Sequence, residues 1–173
     1  MRLISILSRL GVPISAPRWL ISLMLIVRSG TQGVSLGVRV VVFGADGAVF
    51  LVRHSYLDGW YFPGGGVDRG ELLVEAAKRE LCEEARIISL SEPQLLGIYL
   101  NDKRALPDYI ACYVVKDWRW DSATGERLDG RSLDGEIIES GFFDLDELPD
   151  GISIATRARL KEIAEGADAA HYW

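Results

Sequence analysis

Three carboxylates crowd one short stretch of the chain, Arg79-Glu80-Leu81-Cys82-Glu83-Glu84. On a helix, Glu80, Glu83 and Glu84 fall within an arc of about 100° on adjacent turns. Carboxylates this close repel one another unless a cation sits among them. A run of acids is ordinarily a solvated face. Here Leu72, Leu73, Ala76, Ala77 and Leu81 already form an apolar stripe, and the acids lie at its edge, where a sheet can add further ligands. An all-oxygen donor set favours Mg²⁺, with Mn²⁺ next. Magnesium takes one or two carboxylates together with substrate phosphates more readily than an all-protein cage. The pattern therefore points to phosphate chemistry.

The acids need a helix, and a glycine-rich loop leads into it. Pro63-Gly64-Gly65-Gly66-Val67-Asp68-Arg69-Gly70-Glu71 permits unusual backbone angles and close approach of main chain to a ligand. Asp68 and Glu71 have capping-box spacing, and the helix is expected over about 71–85. Strands are expected at Val34 to Phe43 and Ala48 to His54, joined by a Gly44-Ala45-Asp46-Gly47 hairpin turn. Further strands are expected at about 94–100, 109–116 and 137–145, a long loop at 118–134, and a closing helix at 153–165. Strands around a central helix, with a second helix at the end, predict an α/β sandwich on a mixed sheet.

Gly65, Glu71, Arg79-Glu80-Leu81, Glu83-Glu84 and Ile87 stand at the spacing Gly-x5-Glu-x7-Arg-Glu-aliphatic-x-Glu-Glu-x-Gly-aliphatic. That pattern resembles the box of the Nudix hydrolase family, of the MutT-like kind. One position departs, since Arg86 stands where the family has glycine. Weaker similarity runs from about Gly37 to Leu160 and includes Phe142-Phe143-Asp144-Leu145-Asp146-Glu147-Leu148-Pro149. The resemblance implies a Nudix-like α/β/α sandwich and metal-dependent hydrolysis of a nucleoside diphosphate linked to another group. It implies that Glu80, Glu83 and Glu84 hold the metal, joined by the Gly64 carbonyl. It gives Arg79 the task of orienting the acids and Glu71 that of tying the loop to the helix. Many members use a further acid from a loop across the site. Glu136, six residues before Phe142, is the candidate, with Glu139 second. Either Glu84 or Glu136 then serves as the base that takes a proton from water. The family glycine at position 86 implies a left-handed helix end, which costs arginine on the order of 1 kcal/mol.

Substrate contacts are less legible. Tyr56 and Trp60 precede the glycines and can stack on a base, Arg53 can meet phosphate, and Asn101 opens a polar segment able to read a sugar or phosphate. His54 can also meet phosphate, although strand packing is its first expectation, and Cys82 is expected in helix packing. A nucleotide-sensing or scaffold protein without turnover is the alternative to an enzyme, although all the box acids are present. No substrate subgroup is assigned.

Composition narrows the remaining choices. The chain has 173 residues, enough for one domain with a small appendage. Two cysteines and two histidines exclude a disulfide framework and a histidine metal cage. A net charge of -6 argues against non-specific nucleic-acid binding. The charge is divided unevenly. Residues 1–30 carry four arginines, 17 apolar residues and no acid, and the first acid of the chain is Asp46. The organisation expected is a basic apolar helical arm (1–33), a catalytic domain (34–166) and a short tail (167–173). The arm is interrupted by Arg9, Pro13 and Pro17 and is too short to span a bilayer. It is expected to pack on its own domain or on a partner subunit, as a homodimer contact, in preference to a membrane surface. The interrupted apolar run also disfavours a signal peptide, so a cytoplasmic location is expected.

Overall fold

The computed structural model describes residues 35–102, 108–122, 132 and 135–173. The basic arm lies outside the described residues. Among those described, no helix is long and apolar enough to cross a membrane.

Alternating valines make β1 (Ser35–Val42) and β2 (Val49–His54) two-faced. Val38, Val40, Val42, Phe50 and Val52 face one core, together with Ala76, Ala77 and Leu81 of α1 (Leu73–Ala85). Val41, Val49 and Leu51 face a second core, together with Leu160 of α2 (Ile154–Glu165). One helix thus covers each side, giving the expected α/β sandwich. The sheets are mixed. β1 pairs parallel with β5 (Asp108–Val115), which pairs antiparallel with β4 (Gln94–Asn101). β2 pairs antiparallel with β7 (Ile137–Phe143).

Four local expectations change. The turn at Gly44 closes, with the Gly44 N–H donating to the Ala48 carbonyl at 2.7 Å. Yet β1 and β2 join different sheets after a single bridge at Phe43 and Val49. Trp118–Trp120, expected as loop, forms β6 against β3 (Ile87–Ser89). Three residues carry too little periodicity to show a strand, and this pair is held by rings, with Trp118 stacked on Phe142 at 5.4 Å. Leu72, expected in the apolar stripe, is 67% exposed because it is the N-cap, just outside the helix. The capping box closes before the helix. The Asp68 N–H donates to Glu71 Oε2 at 2.9 Å and the Glu71 N–H to the Asp68 carbonyl at 3.0 Å. Together they make a turn in the loop, and Leu72 caps α1 without a side-chain bond.

The last residues lie along β4. The Leu100 N–H donates to the His171 carbonyl and the Trp173 N–H to the Leu100 carbonyl, each at 2.9 Å. Arg159 of α2 sits 4.1 Å over the Tyr99 ring and donates to the Tyr172 carbonyl at 3.0 Å.

Candidate metal-binding active site

The glycine loop runs along the edge of β1 that β5 leaves open. The Val40 N–H donates to the Pro63 carbonyl and the Val38 N–H to the Gly65 carbonyl, each at 2.9 Å. Two glycines there are required for different reasons. Gly64 has φ +142°, and a Cβ on it would strike the Val38 carbonyl. A Cβ on Gly65 would lie 2.5 Å from Glu80 Oε1. The loop therefore packs directly on the acids of α1, which the triple glycine alone does not specify.

Arg79 organises one half of the cluster. Its Nε donates to Glu71 Oε1 at 2.8 Å, its Nη2 to Glu71 Oε2 at 3.0 Å, and its Nη1 to Glu80 Oε1 at 2.7 Å. Nη1 is also 3.5 Å from Glu83 Oε2. The paired bonds to Glu71 have the bidentate geometry that guanidinium makes best. They hold the Glu71 carboxyl below its usual range, and Glu71 with Glu80 holds the Arg79 guanidinium above its own. Glu71 thereby links loop to helix, and Arg79 spaces the acids.

Glu84 faces the other half. It is 8% exposed, and its Oε2 accepts the Gly64 N–H at 2.8 Å. Burial first, then the Glu80 carboxylate, hold Glu84 well above the usual carboxylate range, against the pull of the Gly64 N–H. Burial likewise raises Glu80. Glu84 Oε1 lies 3.7 Å from His54 Nδ1. This is not an ion pair, because burial and then Arg39 push His54 down to about 3, leaving a neutral imidazole. The distance also exceeds a hydrogen bond. Glu136 completes this side. Tyr56 Oη donates to Glu136 Oε1 at 2.6 Å, and the Ser55 N–H holds the Glu136 carbonyl at 2.9 Å. Burial and the Glu136 charge raise the Tyr56 phenol.

Among the described residues, His54, Glu84 and Glu136 form a set whose ligand atoms all lie within 4.8 Å of one another. Buried carboxylates pushed up in pKa by burial and by one another suit a divalent cation, whose charge would relieve both effects. The donor chemistry therefore fits the metal that the box spacing implies.

The NUDIX domain family model matches residues 34–163. The chain belongs to the Nudix family. It is 45% identical over 66 residues to an RNA pyrophosphohydrolase of Xylella fastidiosa, covering 38% of this chain and 34% of that protein. It is 49% identical over 63 residues to an RNA pyrophosphohydrolase of Caulobacter vibrioides, covering 35% of each. The chain thus spans about a third of the length of these curated relatives. Two solved structures share the fold. A MutT NUDIX hydrolase from Burkholderia pseudomallei has TM-score 0.59 and 24% identity, covering 75% of this chain and 97% of that one. A NUDIX hydrolase from Nitrosomonas europaea has TM-score 0.63 and 19% identity, covering 81% and 97%.

Within this Nudix frame, the other residues singled out from the sequence fall in different places. Tyr56 is bound to Glu136 by its hydroxyl. Arg53 is ion-paired across the β2–β7 ladder with Glu139, the second-choice acid. Trp60 is buried in the second core with its ring 4.7 Å from Phe143. Asn101 ends β4, buried opposite Asp108. Cys82 lies on α1 with its thiol raised by burial. Arg86 does adopt the left-handed angle, at φ 56°.

The sequence reading misses Arg39 and, for His54, its place beside Glu84. Arg39 acts on both Glu84 and His54 through its charge, and its Nη1 donates to the Val38 carbonyl at 2.7 Å. A lone arginine inside an apolar strand is the available signal. His54 looks like packing along the chain. Nothing in its local sequence shows that the β2 end meets a helix thirty residues later.

Proposed function

We propose that this Nudix protein hydrolyses a phosphoanhydride bond in a nucleoside diphosphate derivative, with water attacking phosphorus. The observation that carries this reading is convergence. The buried Glu84 of the box helix, Glu136 from a distant loop and the glycine loop meet at one site. Glu80, Glu83 and Glu84 are the ligands proposed for a divalent cation, Mg²⁺ or Mn²⁺, with the Gly64 carbonyl beside them. When bound, such an ion neutralises diphosphate charge, acidifies a water and steadies the leaving group.

The chain's own groups do the rest. Arg79 spreads Glu71, Glu80 and Glu83 around one guanidinium, so the acids keep a fixed geometry without substrate. The Gly64 N–H fixes one oxygen of Glu84 and leaves Oε1 turned into the site. Burial makes Glu84 a stronger base than a surface carboxylate, and Tyr56 holds Glu136 in place as the second group able to accept the water's proton. Arg39 adds positive charge for an anionic substrate.

The test is product release from a panel of nucleoside diphosphate derivatives with Mg²⁺, with and without EDTA. Since relatives matched around the box carry the name RNA pyrophosphohydrolase, the panel includes an RNA bearing a terminal phosphoanhydride. We expect hydrolysis of at least one member, abolished by EDTA. Glu83→Gln and Glu84→Gln should each lower turnover by at least ~100-fold in folded protein. No product from any member would overturn the proposal in favour of a nucleotide binder, and near-normal turnover in both variants would overturn the assignment of these acids.

A further inference from the structure

His54 has no task in the mechanism above, yet it is placed as if it had one. It ends β2 and is 4% exposed. Its Nδ1 is buried and has no hydrogen-bond partner. Buried polar atoms in folded proteins are nearly always paired, so an unpaired one 3.7 Å from a buried carboxylate needs a reason. The ring is also held in place, 5.2 Å from the Tyr56 ring and 5.9 Å from the Tyr61 ring. These ring contacts pack His54 with Nδ1 3.7 Å from Glu84 Oε1.

The distances suit shared coordination. Two donors each about 2.1 Å from one ion are about 3.0 Å apart when cis and about 4.2 Å when trans. The 3.7 Å between His54 Nδ1 and Glu84 Oε1 lies inside that range. The widest separation allowed in the His54–Glu84–Glu136 set, 4.8 Å, exceeds the trans span by about 0.6 Å, which side-chain rotation can close. Glu80 and Glu83, the other box-helix ligands proposed above, also contact Arg79.

We propose that His54 Nδ1 is a direct ligand, with Glu84 and Glu136, of the divalent cation. Imidazole nitrogen is a softer donor than carboxylate oxygen and suits Mn²⁺ or Co²⁺ better than Mg²⁺. The nitrogen therefore shifts this site toward Mn²⁺, away from the magnesium preference of an all-oxygen set. The proposal rests on the reading of this cluster as a metal site, and deepens it by naming a ligand outside the box helix and a metal preference.

The test is pulsed electron paramagnetic resonance on the full-length protein loaded with Mn²⁺, read for ¹⁴N coupling. The chain has only two histidines, His54 and His171. We expect nitrogen coupling in the wild type, unchanged in His171→Gln and lost in His54→Gln. Mn²⁺ affinity should fall at least about tenfold in His54→Gln, with a smaller fall for Mg²⁺. Should His54→Gln not fold, ¹⁵N-histidine labelling of His171→Gln decides the point, because the coupling must then change from ¹⁴N to ¹⁵N. Coupling absent from the wild type, surviving in His54→Gln or unchanged by the label overturns the proposal. Mn²⁺ bound without nitrogen coupling, in a protein that still hydrolyses its substrate, removes the His54 ligand and leaves the hydrolase standing. Absence of both metal binding and hydrolysis removes both.

Discussion

Glu84→Gln should move stability and activity in opposite directions. Glu84 is 8% exposed, with Glu80 as a like-charged neighbour and one backbone donor, Gly64, on Oε2. An ionised carboxylate in that position meets a desolvation penalty of several kcal/mol, which one charge-assisted hydrogen bond, at about 1.5–3 kcal/mol, offsets only in part. Glutamine keeps the shape, keeps an acceptor for the Gly64 N–H, and brings an amide N–H toward the unpaired His54 Nδ1. The expected gain without metal is about 2 kcal/mol, or about 4–8 °C in melting temperature for a chain of this size.

The pH dependence follows from the raised pKa. Glu84 binds its proton more tightly folded than unfolded, from an ordinary value of 4.5. The wild type therefore holds its full proton-linked stability below the unfolded pKa and loses it as the pH rises through the folded one. The advantage of the glutamine variant should be small near pH 4 and grow toward pH 8. Thermal melts in EDTA across that range measure it. Adding Mn²⁺ should then raise the wild type and leave the variant nearly unmoved. A variant less stable than wild type in EDTA at pH 8 would refute the claim that this carboxylate is held at a cost for a cation.

Two backbone predictions accompany it. Arg86→Gly should raise the melting temperature by about 2–4 °C, because Arg86 holds φ 56° at the α1 end and relief of a left-handed non-glycine residue is worth about 1 kcal/mol; a drop on differential scanning calorimetry would show that the arginine side chain outweighs the strain. Gly64→Ala should destabilise by at least about 2 kcal/mol, since the added carbon meets the Val38 carbonyl in a loop already at φ +142°; a urea midpoint equal to wild type would show that the loop can leave the β1 edge freely.

Much of the site is legible in the order of the residues. The spacing of Glu71, Arg79, Glu80, Glu83 and Glu84 specifies a helix face, and helix geometry is local, so the acids group themselves along the chain. The strands β1 and β2 are legible for the same reason, since β-branched alternation has a period of two. What escapes is non-local. The Gly44–Gly47 turn has hairpin composition, but composition does not say whether the strands it joins stay paired. β3 and β6 are three residues each, and the rings of β6 pack on Phe50 and Phe142 from two other segments.

Local spacing was enough for the family box, the helix that carries it, the charged pair Glu71 and Arg79, and the left-handed stop at Arg86. Each depends on residues within about two dozen positions of one another, where backbone periodicity and side-chain reach fix who meets whom. Which loop acid lies near Glu84 depends on the folded chain: Glu139 pairs with Arg53, and Glu136, bonded to Tyr56, stands beside Glu84. Folding also brings His54 to Glu84, since β2 and α1 meet through packing of two-faced strands on a helix. Along the chain the candidate donors are all oxygen; in space the His54 imidazole stands among them, because only folding brings the end of β2 to α1.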